Sequence, residues 1–151
     1  MDAHHDFAVG HVGLNVTDLA RSKQFYQHLF GFELLGESAT GAHRWALLGH
    51  DRAAAITLWQ QSTGRFDRTQ PGLHHLSFRV ANLDAVRAAQ AKVAMLGVRF
   101  LHEGIVAHAE GRDSGGIYFE DPDGLRLEIF APAGVGEFAP AQAGHLSCGF
   151  F

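Results

Sequence analysis

An internal repeat limits the folds open to this sequence. HVGLNVTDL at 11–19 returns as HLSFRVANL at 75–83, pairing His11 with His75, Val16 with Val80 and Leu19 with Leu83 at a constant offset of 64 (75 − 11). Each copy alternates: Val12, Leu14 and Val16 share one face, as do Leu76, Phe78 and Val80. His11, Gly13 and Asn15 share the other, as do His75, Ser77 and Arg79. A period of two marks a half-buried strand, so both histidines are expected to project from the less apolar face.

Each strand runs into a helix. Thr17 or Asp18 is the expected cap of the first, Asn82 or Asp84 of the second. Leu19, Phe25, Tyr26 and Leu29 recur at helical spacing, as do Leu83, Val86, Val93 and Leu96. Gly31 and Gly97 stand where left-handed C-terminal caps fall, which makes the second helix about two residues longer. Strand-like stretches follow: FELL (32–35), RWALL (44–48) and ITLWQ (56–60), then VRFL (98–101), IYFE (117–120) and LRLEIF (125–130). DPDG at 121–124 reads as a tight turn. The expectation is an α+β chain of two βαβββ modules, residues 7–60 and 73–132, which pair into an open, barrel-like mixed-sheet cavity. A polar linker (61–72) joins them. An Ala/Gly/Pro-rich tail (133–151) follows, whose apolar end, CGFF, suggests docking onto the body or a neighbouring chain.

Composition excludes several classes of partner. The net charge of −4 leaves no basic stripe for nucleic acid. No apolar run approaches the ~20 residues of a membrane span, and the acidic start is unlike a signal peptide. A single cysteine, Cys148, rules out an intrachain disulfide and fits a reduced, cytoplasmic setting. Eleven histidines in 151 residues point instead to metal.

The repeat also suggests where a metal would bind. On the last strand of the second module Arg126, Glu128 and Phe130 share a face. A carboxylate at Glu128, turned the same way as His11 and His75, would complete a two-histidine, one-carboxylate set with positions left open. Such donors suit Fe(II), Mn(II), Zn(II), Ni(II) or Co(II) without choosing between them. His74 competes with His75, but strand alternation turns it to the other face. Trp59 and Phe130 occupy matching positions on the ligand-bearing face, and Asn15, Ser77 and Arg79 share faces with the histidines. Of these, Asn15, Trp59, Arg79 and Phe130 are candidate contacts for a small aromatic or amphipathic substrate.

The motifs H-V-x-L-x-V-x-D-L-x-x-S-x-x-F-Y (11–26), HHLSFRV (74–80) and YFEDPDGLRLEIF (118–130) resemble the vicinal oxygen chelate superfamily. That superfamily includes glyoxalase I, extradiol dioxygenases, fosfomycin-resistance thiol transferases, methylmalonyl-CoA epimerase and bleomycin-binding proteins. The resemblance covers about residues 7–132 and implies metal ligands at His11, His75 and Glu128. It also implies a homodimer, because some members share the site between two chains. Glyoxalase I has a fourth ligand on the last strand of its first module. Here that position falls on Thr57, or on Leu58 with a one-residue slip, and neither is a carboxylate, which counts against glyoxalase I and epimerase. Tyr118 matches a tyrosine near the metal in extradiol and fosfomycin enzymes. Extradiol enzymes need a further histidine as acid/base, for which His108 and His102 are candidates. Arg112 is either a substrate contact or a solvated loop charge. No Lys or Arg follows Glu128 in IFAPAGVGEFAPA, which counts against the phosphonate-binding transferases. The expected function is therefore extradiol-dioxygenase-like. The alternatives are a metal-dependent lyase, isomerase or thiol transferase, or a metal-free binding protein of the bleomycin-resistance type.

Overall fold

The computed structural model describes residues 7–149. The first six residues, and Phe150 and Phe151 of the apolar terminus, lie outside them. The chain divides between Gly64 and Arg65 into two compact units, and each is a βαβββ module.

The first unit contains β1 (Val12–Asn15), α1 (Leu19–Phe30), β2 (Glu33–Ser38), β3 (Trp45–His50) and β4 (Ala53–Trp59). Its sheet order is β1-β4-β3-β2, with β1 parallel to β4 and the other pairs antiparallel. The apolar phase of the strands meets α1: Leu14, Ala46, Leu48, Ile56 and Leu58 are buried beneath Leu19, Phe25, Tyr26 and Leu29. Full burial stabilises each aliphatic side chain by roughly 1.5–3 kcal/mol. Asp18, not Thr17, caps the helix: its Oδ1 accepts the Arg21 amide at 3.0 Å. Thr17 instead accepts from the Arg21 guanidinium at 2.8 Å. The β3–β4 hairpin turns through Asp51 (φ 49°) and Arg52 (φ 65°), between paired His50 and Ala53. Two successive positive φ values match the right-handed twist of the strands.

The second unit repeats the plan with β5 (Leu76–Arg79), α2 (Leu83–Met95), β6 (Val106–Ala107), β7 (Gly115–Glu120) and β8 (Arg126–Ala131), in the order β5-β8-β7-β6. Asn82 caps α2 through the Ala85 amide at 3.0 Å, while Asp84 pairs with Arg87. α2 has 13 residues against 12 in α1, so the difference is one residue rather than two. Gly31 (φ 68°) and Gly97 (φ 67°) are both left-handed, as the C-terminal stop of a helix favours.

The expected strand at 98–101 does not form. Phe100 makes one isolated bridge to Phe119, the chain bulges through 101–104, and pairing with β7 resumes only at Val106 and Ala107. Hydrophobic alternation in VRFL indicated the side chains that pack, but not the detour that splits this edge strand in two. The turn at 121–124 is as expected, since Asp121 Oδ1 accepts the amides of Asp123 (2.9 Å) and Leu125 (2.8 Å).

The tail packs onto the second unit. Val135 and Ser147 are fully buried. The Ala107 amide bonds to Ala139 O at 3.1 Å, and Ala107 bridges Pro140 in parallel fashion. A 3₁₀ turn, Ser147–Gly149, ends the described chain.

Candidate functional site

The repeat in sequence reappears as a repeat in register. Gly13 pairs with Thr57 where β1 meets β4, and Ser77 pairs with Glu128 where β5 meets β8. Thr57 is therefore the counterpart of Glu128, without the one-residue slip to Leu58. It is buried and carries no carboxylate.

Glu128 is the centre of the second unit's polar cluster, and it is 4% exposed. Its Oε1 accepts from Tyr118 Oη at 2.8 Å and from His108 Nε2 at 2.6 Å. Its Oε2 lies 3.6 Å from His75 Nε2. Ser114 Oγ meets the other nitrogen of His108 at 2.8 Å. With Glu128 ionised and the ring neutral, Nε2 carries the hydrogen and Nδ1 accepts from Ser114. Burial pushes the Glu128 carboxyl up. Hydrogen bonds from His108, Ser77 and Tyr118, with a further electrostatic contribution from His108, outweigh it and lower the pKa of the group. Tyr118 is driven the other way, first by burial and then by the negative charge of Glu128, so it keeps its proton.

His74 and His75 stand just before β5 rather than within it, so strand alternation does not separate them. Their Nδ1 atoms are 2.8 Å apart, which requires one to donate and the other to accept. Burial first, then the charges of Arg126 and His75, lower the pKa of His74. Arg126 Nε donates to the His74 carbonyl at 2.9 Å and fixes the backbone there.

The Glu128 cluster, without His74, His75 or Arg126, borders a cavity of about 390 Å³. Glu128, Tyr118, His108 and Phe130 lie on its wall, with Ser77 and Ser114 beside them. The Phe130 ring packs against His108, centroids 5.0 Å apart. Arg112, Leu146 and Cys148 complete the lining. Parity with Tyr118 was the available signal for Ser114. Nothing in the repeat pointed to Leu146 or Cys148, which lie beyond both modules. His102 is turned elsewhere: it packs edge-on against Tyr118 and its Nε2 meets Ser147 O at 2.9 Å.

The remaining candidates are described within their own units. Arg79 is exposed and does not border the cavity. In the first unit His11 is exposed, one residue before β1. Asn15 Oδ1 accepts the Gln61 amide at 3.0 Å. Trp59 is 36% exposed, with the Trp45 ring 6.1 Å away. Among the described residues, no three His, Cys, Asp or Glu side chains stand together as a complete metal site.

Twin βαβββ modules define the class of fold, and the second carries a buried carboxylate set against imidazoles. The family profile agrees: the Glyoxalase/Bleomycin resistance protein/Dioxygenase superfamily matches residues 8–129, and the chain belongs to that superfamily. Among curated relatives, the catechol-2,3-dioxygenase of Bacillus subtilis (strain 168) is 25% identical over 134 residues, covering 85% of this chain. The chain spans only 42% of that protein. The glutathione transferase FosA of Serratia marcescens is 30% identical over 128 residues, covering 81% of this chain and 79% of that one. Among solved structures, a glyoxylase/bleomycin resistance protein/dioxygenase domain from Frankia sp. EAN1pec matches with a TM-score of 0.71 and 26% identity, over 83% of this chain and 91% of its own. The fosfomycin resistance protein FosX of Listeria monocytogenes, crystallised with Mn(II) and sulfate, shares the fold at a TM-score of 0.62 and 21% identity, over 82% and 91% of the two chains. Among the described residues no helix is long and apolar enough to cross a membrane.

Proposed function

We propose that this chain is a metal-dependent enzyme that grips a small substrate through two adjacent oxygens, with extradiol-type cleavage of a catechol as the leading reaction. One observation carries this: Glu128 is clamped on one oxygen by Tyr118 and His108, while its other oxygen faces His75 Nε2 at 3.6 Å. Two donors each about 2.1 Å from one ion, at a tetrahedral angle, lie about 3.4 Å apart, so the pair suits a shared divalent ion. Nitrogen and carboxylate donors suit the same five metals named above. His11 is the proposed third ligand, given by this chain or by a second copy in a homodimer. When bound, such an ion supplies Lewis acidity at the substrate oxygens and, as Fe(II), a meeting point for dioxygen.

The chain's own residues supply the rest. Tyr118 holds Glu128 in one orientation without giving up its proton. Ser114 orients His108, and its Nε2, held against Glu128 Oε1, is the proposed point of proton transfer. Phe130 offers an apolar face to a ring. The test is anaerobic loading with Fe(II), then air and a panel of catechols. Ring-cleavage absorbance supports the assignment, and its absence across the panel overturns it. Elemental analysis separates an enzyme from a binder: about one equivalent of metal, lost in His75→Ala and Glu128→Ala, supports the enzyme. Metal-free protein that still binds an aromatic ligand favours the binding protein.

Arg112 favours a second assignment, thiol transfer of the kind named for FosA. No cation follows Glu128 in sequence, but Arg112 brings one to the cavity wall from before it. Loss of glutathione in the presence of fosfomycin and Mn(II)-loaded protein would support that assignment over ring cleavage.

A further inference from the structure

The superfamily profile ends at residue 129, yet the cavity continues past it. Leu146 and Cys148 border it from the end of the tail, on either side of Ser147. This segment is built into the unit. The Ser147 amide donates to His108 O at 2.8 Å, and its hydroxyl donates to Ala107 O at 2.5 Å and accepts the Ala141 amide at 3.0 Å. His102 Nε2 donates to the Ser147 carbonyl at 2.9 Å, and the same ring packs against Tyr118. Farther back, the Val135 amide bonds to Asp113 O at 2.8 Å and the Gly136 amide to Asp113 Oδ1 at 3.0 Å. A buried hydroxyl satisfied as both donor and acceptor fixes the residues on either side of it. Of the two lining residues, Leu146 is 62% exposed and Cys148 is half-buried.

We propose that this C-terminal strap, residues 132–149, is the selectivity wall of the cavity. It sets how large a body a chelating ligand can carry behind its two oxygens. The ligand class it admits is a compact chelator with one small ring or a short chain, and a fused or biaryl body meets Leu146 and Cys148. Ser147 is the positioning residue that holds both in place. The inference rests on the metal-chelate assignment in one respect, that the ligand's oxygens lie at Glu128.

The test uses full-length protein loaded with Mn(II). Calorimetry gives the dissociation constants of benzohydroxamate and 2-naphthohydroxamate, which carry the same chelating oxygens on one ring and on two. Wild-type protein is expected to bind the larger probe at least about tenfold more weakly. The double variant Leu146→Ala/Cys148→Ala removes most of that gap. Ser147→Ala shifts the ratio in the same direction and Ser147→Thr restores it, which a purely structural role would not do. An unchanged ratio in every variant overturns the wall while leaving the metal-chelate assignment intact. Failure of wild type and variants alike to bind either hydroxamate overturns both.

Discussion

On the proposed metal assignment, the two adjoining histidines divide one task between them. For His75 Nε2 to offer its lone pair to an ion shared with Glu128, its Nδ1 must hold the hydrogen and donate it across the 2.8 Å contact to His74. The lowered pKa of His74 suits an acceptor. Partners of this kind fix the tautomer of a ligating ring, and their loss costs about 10–100-fold in metal affinity. His74→Ala should therefore weaken Mn(II) binding by that factor, read by metal titration, with little change in thermal midpoint. Sequence alternation made His74 a rival to be dismissed, and the structure makes it a neighbour, because the strand begins one residue later than the motif. Glu128 and Tyr118 were legible for the opposite reason. Both lie inside regular strands, where parity fixes direction. Cys148 belongs to no repeat. Burial, then the negative charge of Glu128, raises its thiol pKa. Its alkylation by iodoacetamide should thus reach half its maximum above the ordinary thiol value, and Glu128→Gln should bring that midpoint down.

Both helices, their caps and most strands were readable because each is specified locally, by periodicity and by a polar side chain one residue ahead. The strand at 98–101 failed because pairing along an edge depends on the partner strand, which local alternation does not describe. On its other side β7 packs tightly against β8. A Cβ at Gly116 would collide with the Ile129 carbonyl oxygen and lie 2.6 Å from Phe130 Cα. Gly116→Ala should destabilise the fold by roughly 2–3 kcal/mol, measured by urea denaturation, since neither obstacle is a movable side chain. The β3–β4 hairpin should respond the other way. Arg52 holds a φ of 65° without the freedom of glycine. Arg52→Gly should stabilise by about 1 kcal/mol in the same assay.

For the molecule as a whole, the proposed metal assignment predicts which variant chains complement one another. His11 belongs to the first unit, His75 and Glu128 to the second. Mixing unfolded His11→Ala and Glu128→Gln chains and refolding them together discriminates the two arrangements. If the site is shared between copies, mixed dimers regain one intact site and bind metal. If it lies within one chain, the mixture stays as inactive as its parents. The duplication made the plan of both units readable. The tail was opaque because it repeats nothing and its role depends on the surface it meets. Its contact with β6 also has a bearing on handling the protein. Pro140 lies along the outer rim of that sheet and has no amide hydrogen to offer. The rim is thereby denied to any incoming strand, so a chain cut short at residue 132 should leave a sticky border and form aggregates that the intact protein, followed by light scattering at equal concentration, does not.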